Sequence, residues 1–168
     1  MTTFYANPYN LDAAGFYFAA AGEFIEKMEA LTDRWGAPVE EFEIDFVDGD
    51  DFALFSACGI DQGNLERWFD EIEPLGDREK VALAWLVGEA GYTLDDALGK
   101  IDDVSLARGQ LLDAATELFD DCYLDSVPEN VRNYIDYEAF ARDCECGGDM
   151  SEFEYMGETW TITNASGI

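Results

Sequence analysis

Alternation and helical spacing divide the first sixty residues into short strands and one helix. The aromatic-rich runs Phe4–Ala6 and Gly15–Ala19 are typical of strands. Apolar residues then recur at helical spacing over Glu23–Trp35, which predicts an amphipathic helix ended by the glycine and proline that follow. The acids predicted on its outer face are Glu23, Glu26, Glu29 and Asp33.

The segment Glu41–Val47 alternates strictly between polar and apolar residues, which predicts a half-buried strand. Its wet face would carry Glu41, Glu43 and Asp45 in a row. Adjacent like charges destabilise a sheet, so this pattern favours a surface shaped for charge over one shaped for stability. The acidic run that follows has no EF-hand register, because its glycine comes early and no glutamate closes the loop, and it predicts a turn.

Helical periodicity continues through residues 61–103 and predicts three helices. Asn64 and Asp77 are candidate caps for the first two, and Thr93 with Asp96 forms a capping-box signature for the third. The outward acids predicted here are Glu66, Asp70, Glu71, Glu73, Asp95 and Asp96.

The last third predicts a helix over Gly109–Cys122, two short helices, and a closing hairpin built from residues 152–156 and 159–163. Asp136 is the candidate cap of the second short helix. These elements indicate an α+β fold in three small domains: 1–60, which is α+β, 61–103, which is all-α, and 104–168, which is α+β.

Charge changes this picture more than any other property. The chain has 38 Asp and Glu against 9 Lys and Arg, a formal net charge of −29, yet 48% of its residues are hydrophobic and 14% aromatic. A chain of this composition should fold and hold its charge at fixed positions, at the cost of self-repulsion. At one charge per ~1.7 Å of duplex axis, 29 charges correspond to roughly 50 Å of DNA, or about 15 base pairs. The composition therefore favours a stand-in for DNA or another role against a basic partner.

Adaptation to salt and simple solubility are alternative origins of the charge. A halophile's proteins are also acidic and poor in lysine, but the many aromatic residues here argue against that origin. Solubility alone needs a net charge of only about 2–8 in a small domain. An acidic chaperone or buffer for a basic nucleic-acid-binding protein is the second functional hypothesis.

The sequence offers little catalytic chemistry. It has no histidine, no phosphate-binding glycine motif, and four cysteines whose spacing fits neither a disulfide framework nor a zinc knuckle. We therefore expect no enzyme, no cofactor and no metal site. The longest apolar run is too short to span a bilayer and no signal peptide is recognisable, so a cytoplasmic protein without membrane contact is expected.

The most distinctive stretch is Val127–Asp143, with the sequence VPENVRNYIDYEAFARD. It closely resembles the antirestriction motif of the ArdA family, and the order of elements around it also fits. The motif residues that carry the resemblance are Val127, Pro128, Asn133, Tyr134, Ile135, Asp136, Tyr137, Ala139, Arg142 and Asp143.

The resemblance implies an elongated DNA mimic of three domains that dimerises through its C-terminal region. Such proteins inhibit type I restriction-modification enzymes by occupying the basic DNA-binding groove of the methyltransferase core, and do not themselves bind nucleic acid. The outward acids would act collectively as phosphate mimics. The motif either contacts the enzyme directly or forms a packing or dimer-interface cluster through its aromatic residues, with Arg132 and Arg142 pairing local carboxylates.

Overall fold

The computed structural model describes residues 2–168, and its contacts group the chain into two compact units, one ending at Lys80 and the other beginning at Val81. Both units combine helices with a three-stranded antiparallel sheet, so the fold is α+β. The division into three domains stays a prediction. No helix among the described residues has the length and apolar character needed to cross a membrane.

The sheet of the first unit has the strand order β2-β1-β3, with β1 at Thr3–Pro8, β2 at Phe16–Phe18 and β3 at Phe42–Asp48. The predicted positions of all three strands are confirmed to within a few residues. Alternation places Phe4 and Ala6 on the buried face, and Phe4 stacks against Phe18 at 5.3 Å between ring centroids. The remaining elements of this unit are α1 (Ala21–Ala30), α2 (Phe52–Ala57), α3 (Leu65–Arg67) and a π-helix over Trp68–Ile72.

The prediction of a helix as far as Trp35 is wrong, because α1 ends at Ala30. Leu31 adopts an extended conformation and accepts a hydrogen bond from the Val39 N–H, while Thr32 forms a β-bridge with Pro38. The Asp33 carboxylate meanwhile binds backbone N–H groups of the following turn, so a local side chain competes with the helix.

Residues beyond the predicted boundary at position 60 complete the core of the first unit. Trp68 is fully buried, and its ring packs edge-on against Phe4, Phe46 and Phe55. The helix predicted from Asn64 is present but becomes a π-helix at Trp68, where the Glu73 N–H donates to the Trp68 carbonyl at 2.7 Å. Asn64 does not cap it, since its side chain accepts from the Asp61 N–H instead.

The second unit contains most of α4 (Asp77–Gly88), then α5 (Leu94–Leu98), β4 (Leu106–Arg108), α6 (Leu111–Cys122), α7 (Tyr137–Cys146), β5 (Ser151–Tyr155) and β6 (Glu158–Ile162). Asp77 is the first residue of α4, so its prediction as a cap is wrong, whereas Thr93 caps α5 by accepting from the Asp96 N–H. The closing hairpin β5-β6 is confirmed. The third strand, β4, pairs with β6 and was not predicted.

The helices α6 and α7 bury one hydrophobic cluster of the second unit together with the residue that precedes β5. Leu111, Ala115, Ala141, Cys144 and Met150 are buried together, with Phe140 packed against them. The sequence motif covers the end of the segment between α6 and α7 and the first seven residues of α7.

Candidate protein-binding surface

The carboxylates of the chain remain at its surface. Among the described residues, which include every Asp and Glu, none of these side chains is buried, and all but six are exposed. The six half-buried acids are Asp12, Glu23, Asp33, Asp51, Glu73 and Glu158.

Four of the six half-buried acids form ion pairs with basic side chains. Asp12 pairs with Arg34 at 2.9 Å, Glu23 with Lys27 at 2.7 Å, Asp51 with Lys80 at 2.7 Å, and Glu158 with Arg108. Because bases are few, this use leaves the exposed acids with little compensating charge. The surface is therefore an array of fixed carboxylates.

The outer face of the first sheet carries part of this array. Glu43 and Asp45 are exposed on one face of β3, and Glu41 is exposed just before the strand begins. Their neighbours across the ladder are Asn7 and Tyr5. The predicted acidic strand face is thus present.

On α1, the predicted outward acids differ in their contacts. Glu26 and Glu29 are exposed on the helix. Glu23 binds the Lys27 ammonium and, at 2.8 Å, the Ala19 N–H, and these hydrogen bonds to Lys27 and Ala19 lower the pKa of the Glu23 carboxyl. Glu23 therefore also holds the start of the helix.

Asp33 was predicted on the helix face but lies in the turn after it. Its Oδ1 accepts from the N–H groups of Ala37 at 2.9 Å and Trp35 at 2.8 Å, and Asn10 donates to Oδ2. These hydrogen bonds, that of Ala37 foremost, lower the pKa of the Asp33 carboxyl. The role of Asp33 in this turn is structural, because its charge is already used by backbone donors.

Five of the six acids predicted in the middle of the chain lie in helices, and Glu73 directly follows the π-helix. Glu71 forms two hydrogen bonds with Arg67, one turn earlier, and the Asp96 carboxylate accepts from the Thr93 hydroxyl at 2.9 Å in the capping box. The six acids are Glu66, Asp70, Glu71, Glu73, Asp95 and Asp96. Glu73 is half-buried and the other five are exposed.

The motif segment begins with a 3-10 helix over Glu129–Tyr134, for which Pro128 is the N-terminal flanking residue, and continues into α7. Asp136 caps α7 as predicted, because its Oδ1 accepts from the Ala139 N–H at 2.9 Å. The aromatic residues of the motif differ in their burial. Tyr137 packs edge-on against Phe119 of α6 at 5.5 Å between ring centroids, whereas the Tyr134 side chain is 84% exposed.

Tyr137 and Phe140 thus have a packing role in the fold, whereas Tyr134 has none. Phe140 also packs on Phe119, at 5.1 Å. Tyr134 lies instead at an open groove of about 540 Å³ between the motif and α6, together with Leu112 and Asn133. Leu112, in the first turn of α6, is 37% exposed.

The two motif arginines do not pair local carboxylates, so that expectation is wrong. Arg132 donates through Nε to the Val127 carbonyl at 3.0 Å and closes the 3-10 segment. Arg142 is exposed beside Glu138 and Glu145 at a second groove, and within residues 2–168 no carboxylate lies within salt-bridge distance of either guanidinium. The other motif positions are half-buried Val127, Ile135 and Ala139 and exposed Pro128, Asn133 and Asp143.

The four cysteines are free thiols, with Cys58 and Cys144 buried and Cys122 and Cys146 exposed. Burial raises the pKa of the Cys58 thiol to about 11, which leaves it protonated and unreactive at neutral pH. In the part of the chain that the structure describes, no group of three or more His, Cys, Asp and Glu is placed to hold a metal ion.

Exposed carboxylates on an α+β framework define an acidic protein whose surface charge favours a basic partner. A family model described as "Antirestriction protein (ArdA)" matches residues 17–156, which include the whole motif. The chain belongs to the ArdA antirestriction protein family. Neither the curated proteins nor the solved structures gave a match.

Proposed function

We propose that this antirestriction protein inhibits type I restriction-modification enzymes by occupying the basic DNA-binding groove of their methyltransferase core. The observation that carries the proposal is the placement of the acids: none is buried, and four of the nine Lys and Arg side chains pair with half-buried acids. Family membership supplies the antirestriction role, and this charge distribution supplies a mechanism for it.

The mechanism is electrostatic competition with DNA. Lysine and arginine side chains that bind phosphates also bind carboxylates, through charge-assisted and, for arginine, bidentate hydrogen bonds. Candidate phosphate mimics with free surface positions include Glu26, Glu29, Glu41, Glu43 and Asp45. An exposed pair contributes only about 0.2–1 kcal/mol, so the array acts collectively and no single carboxylate dominates.

The proposal extends to the assembly. A homodimer formed through the C-terminal unit would carry −58, equivalent to the phosphates of about 29 base pairs or roughly 100 Å of duplex. An elongated arrangement of three small domains would spread this charge along one axis. Exposed Tyr134 and Arg142 make the motif available either for the dimer contact or for the enzyme.

This function would be exercised in the cytoplasm, where restriction enzymes meet incoming DNA. The protein would act by binding the enzyme and not by catalysis, and its charge would prevent binding to DNA itself.

The direct test is DNA cleavage by a purified type I restriction enzyme, titrated with this protein at several salt concentrations. We expect inhibition at near-stoichiometric amounts, weakened by salt and relieved by excess unmethylated duplex. A folded protein that leaves cleavage unaffected would contradict the proposal. Binding to unrelated basic proteins without inhibition would favour the acidic chaperone.

A triple substitution separates charge from shape. Glu41→Gln, Glu43→Gln and Asp45→Asn together remove three charges from one sheet face and should weaken inhibition by roughly tenfold, the sum of three exposed pairs. The matched control, Glu41→Asp, Glu43→Asp and Asp45→Glu, keeps the charge and should retain most of the inhibition. Equal losses in both triple variants would argue against electrostatic mimicry at this face.

A further inference from the structure

Among residues 2–168, no strand pairs with the outer edge of β3 in the first unit. The strand order is β2-β1-β3, so β3 has a partner on one side only. At the start of the edge, the Gln62 amide accepts from the Phe42 N–H and donates to the Glu40 carbonyl, both at 2.7 Å. Gln62 thereby engages the two backbone groups that one residue of a parallel neighbouring strand would engage.

The register shows which backbone groups beyond Gln62 face the same way. In an antiparallel ladder, successive residues alternate between facing the partner strand and facing away. Since Phe42 faces away from β1, Ile44 and Phe46 do so too, and among residues 2–168 no hydrogen bond from outside the sheet reaches their backbone groups. A bulge at Val47, between the Phe46 and Asp48 pairings, ends this open stretch.

A groove runs beside this edge. It has a volume of about 310 Å³ and is lined by Phe46 of β3, by Phe52 and Phe55 of α2, and by Ile60. Phe52 is 59% exposed, so an apolar surface lies next to the free backbone groups. An added strand could therefore place every second side chain in the groove.

Charge selects the occupant. Exposed Glu43, Asp45 and Asp48 flank the edge on β3 itself, and exposed Glu41 and Asp50 lie just outside it. A second copy of this chain would place acids against acids, which opposes edge-to-edge pairing. A segment with alternating basic and apolar side chains matches both the carboxylates and the groove.

We infer that the β3 edge binds an extended basic segment of the partner protein as a short added strand, with backbone hydrogen bonds at Ile44 and Phe46. This inference rests on the proposed function only in taking the partner to be basic. It adds a backbone-mediated contact that DNA, which has no peptide groups, could not make.

The test uses the full-length protein and a capped seven-residue peptide of alternating lysine and valine, compared with the same peptide N-methylated at each internal amide. Methylation keeps the charge and side chains but removes the backbone donors. We expect the unmethylated peptide to bind on the order of tenfold more tightly than the methylated one, because it can form about two more backbone hydrogen bonds. At saturation it should also slow amide hydrogen exchange at Ile44 and Phe46.

Two variants locate the binding. Phe52→Ala should weaken the unmethylated peptide severalfold, because it removes part of the apolar groove, while Leu11→Ala, at a side chain that is 98% exposed and outside the groove, should not. Equal binding of both peptides, or unchanged exchange at Ile44 and Phe46, would overturn the inference. Because no restriction enzyme is used, this result and that of the cleavage assay can fail independently.

Discussion

The Tyr137 hydroxyl donates to Oδ1 of Asp120 at 2.6 Å, which ties the first turn of α7 to the last turns of α6. The same tyrosine packs edge-on against Phe119. Tyr137 therefore attaches the motif to α6 through a hydrogen bond and an aromatic contact, while its neighbour Tyr134 remains exposed.

From this hydrogen bond we expect the free energy of unfolding to fall at alkaline pH. The bond is the main cause that raises the pKa of Tyr137 above its usual value near 10, with burial and the Asp120 charge adding to it. A raised pKa in the folded state means that the contribution to stability is present below about pH 10 and is lost as pH rises through the folded value. Tyr137→Phe should remove this part of the alkaline decrease in the free energy of unfolding.

Chemical denaturation between about pH 8 and 11 checks the prediction. Tyr134→Phe is the matched control, because it removes an exposed hydroxyl from the same motif and should leave the pH profile unchanged. Identical profiles for Tyr137→Phe and the parent would contradict the assigned hydrogen bond.

Substituting the packed Phe140 should lower stability, whereas substituting the exposed Tyr134 should lower inhibition. Phe140→Ala deletes a ring packed on Phe119 and on the core of the second unit, and should lower the free energy of unfolding by about 2 kcal/mol. Tyr134→Ala should change it by less than about 0.5 kcal/mol, because the side chain is 84% exposed. In the cleavage assay, Tyr134→Ala should nevertheless weaken inhibition. Full activity of the folded Tyr134→Ala variant would remove Tyr134 from the binding surface.

Alanine substitutions at two glycines of the first unit should change the free energy of unfolding in opposite directions. A Cβ at Gly15 would meet the Ala6 carbonyl oxygen and the Tyr5 ring, so Gly15→Ala should cost about 1–3 kcal/mol through overpacking. Gly22 lies in α1, and apart from its chain neighbours and the helix backbone no described atom lies within 4 Å of such a Cβ, so Gly22→Ala should stabilise by roughly 0.5–1 kcal/mol. Thermal unfolding of both variants checks this, and a neutral Gly15→Ala would contradict the close approach of Gly15 to β1.

Salt should affect stability and inhibition in opposite directions. Screening reduces the self-repulsion of a chain at −29, so the free energy of unfolding should rise between about 0.02 M and 0.3 M NaCl. The same screening weakens the attraction to a basic partner, so the inhibitor concentration needed for half-maximal effect should rise by roughly tenfold or more. Denaturation and cleavage assays over one salt series measure both. Inhibition that strengthens with salt would indicate an apolar mode of binding.

Local patterns in the sequence determined the elements whose signals lie within a few residues. Alternation located β3 and its acidic face, Thr93 and Asp136 identified two helix starts, and the closing hairpin followed from its turn. The exposure of most carboxylates also followed, because burying an unpaired charge is costly and the chain has few bases to pair with them. The motif alone indicated the family to which the chain belongs.

Contacts between distant residues decided the rest. The end of α1 depended on Val39 and Pro38 returning to Leu31 and Thr32, and β4 became a strand only because β6 lies beside it. Tertiary packing likewise placed Tyr137 against Phe119 and left Tyr134 in the open, although both are tyrosines of one short motif. Helical spacing reports which residues share a face, but only the neighbouring elements determine which part of that face is covered.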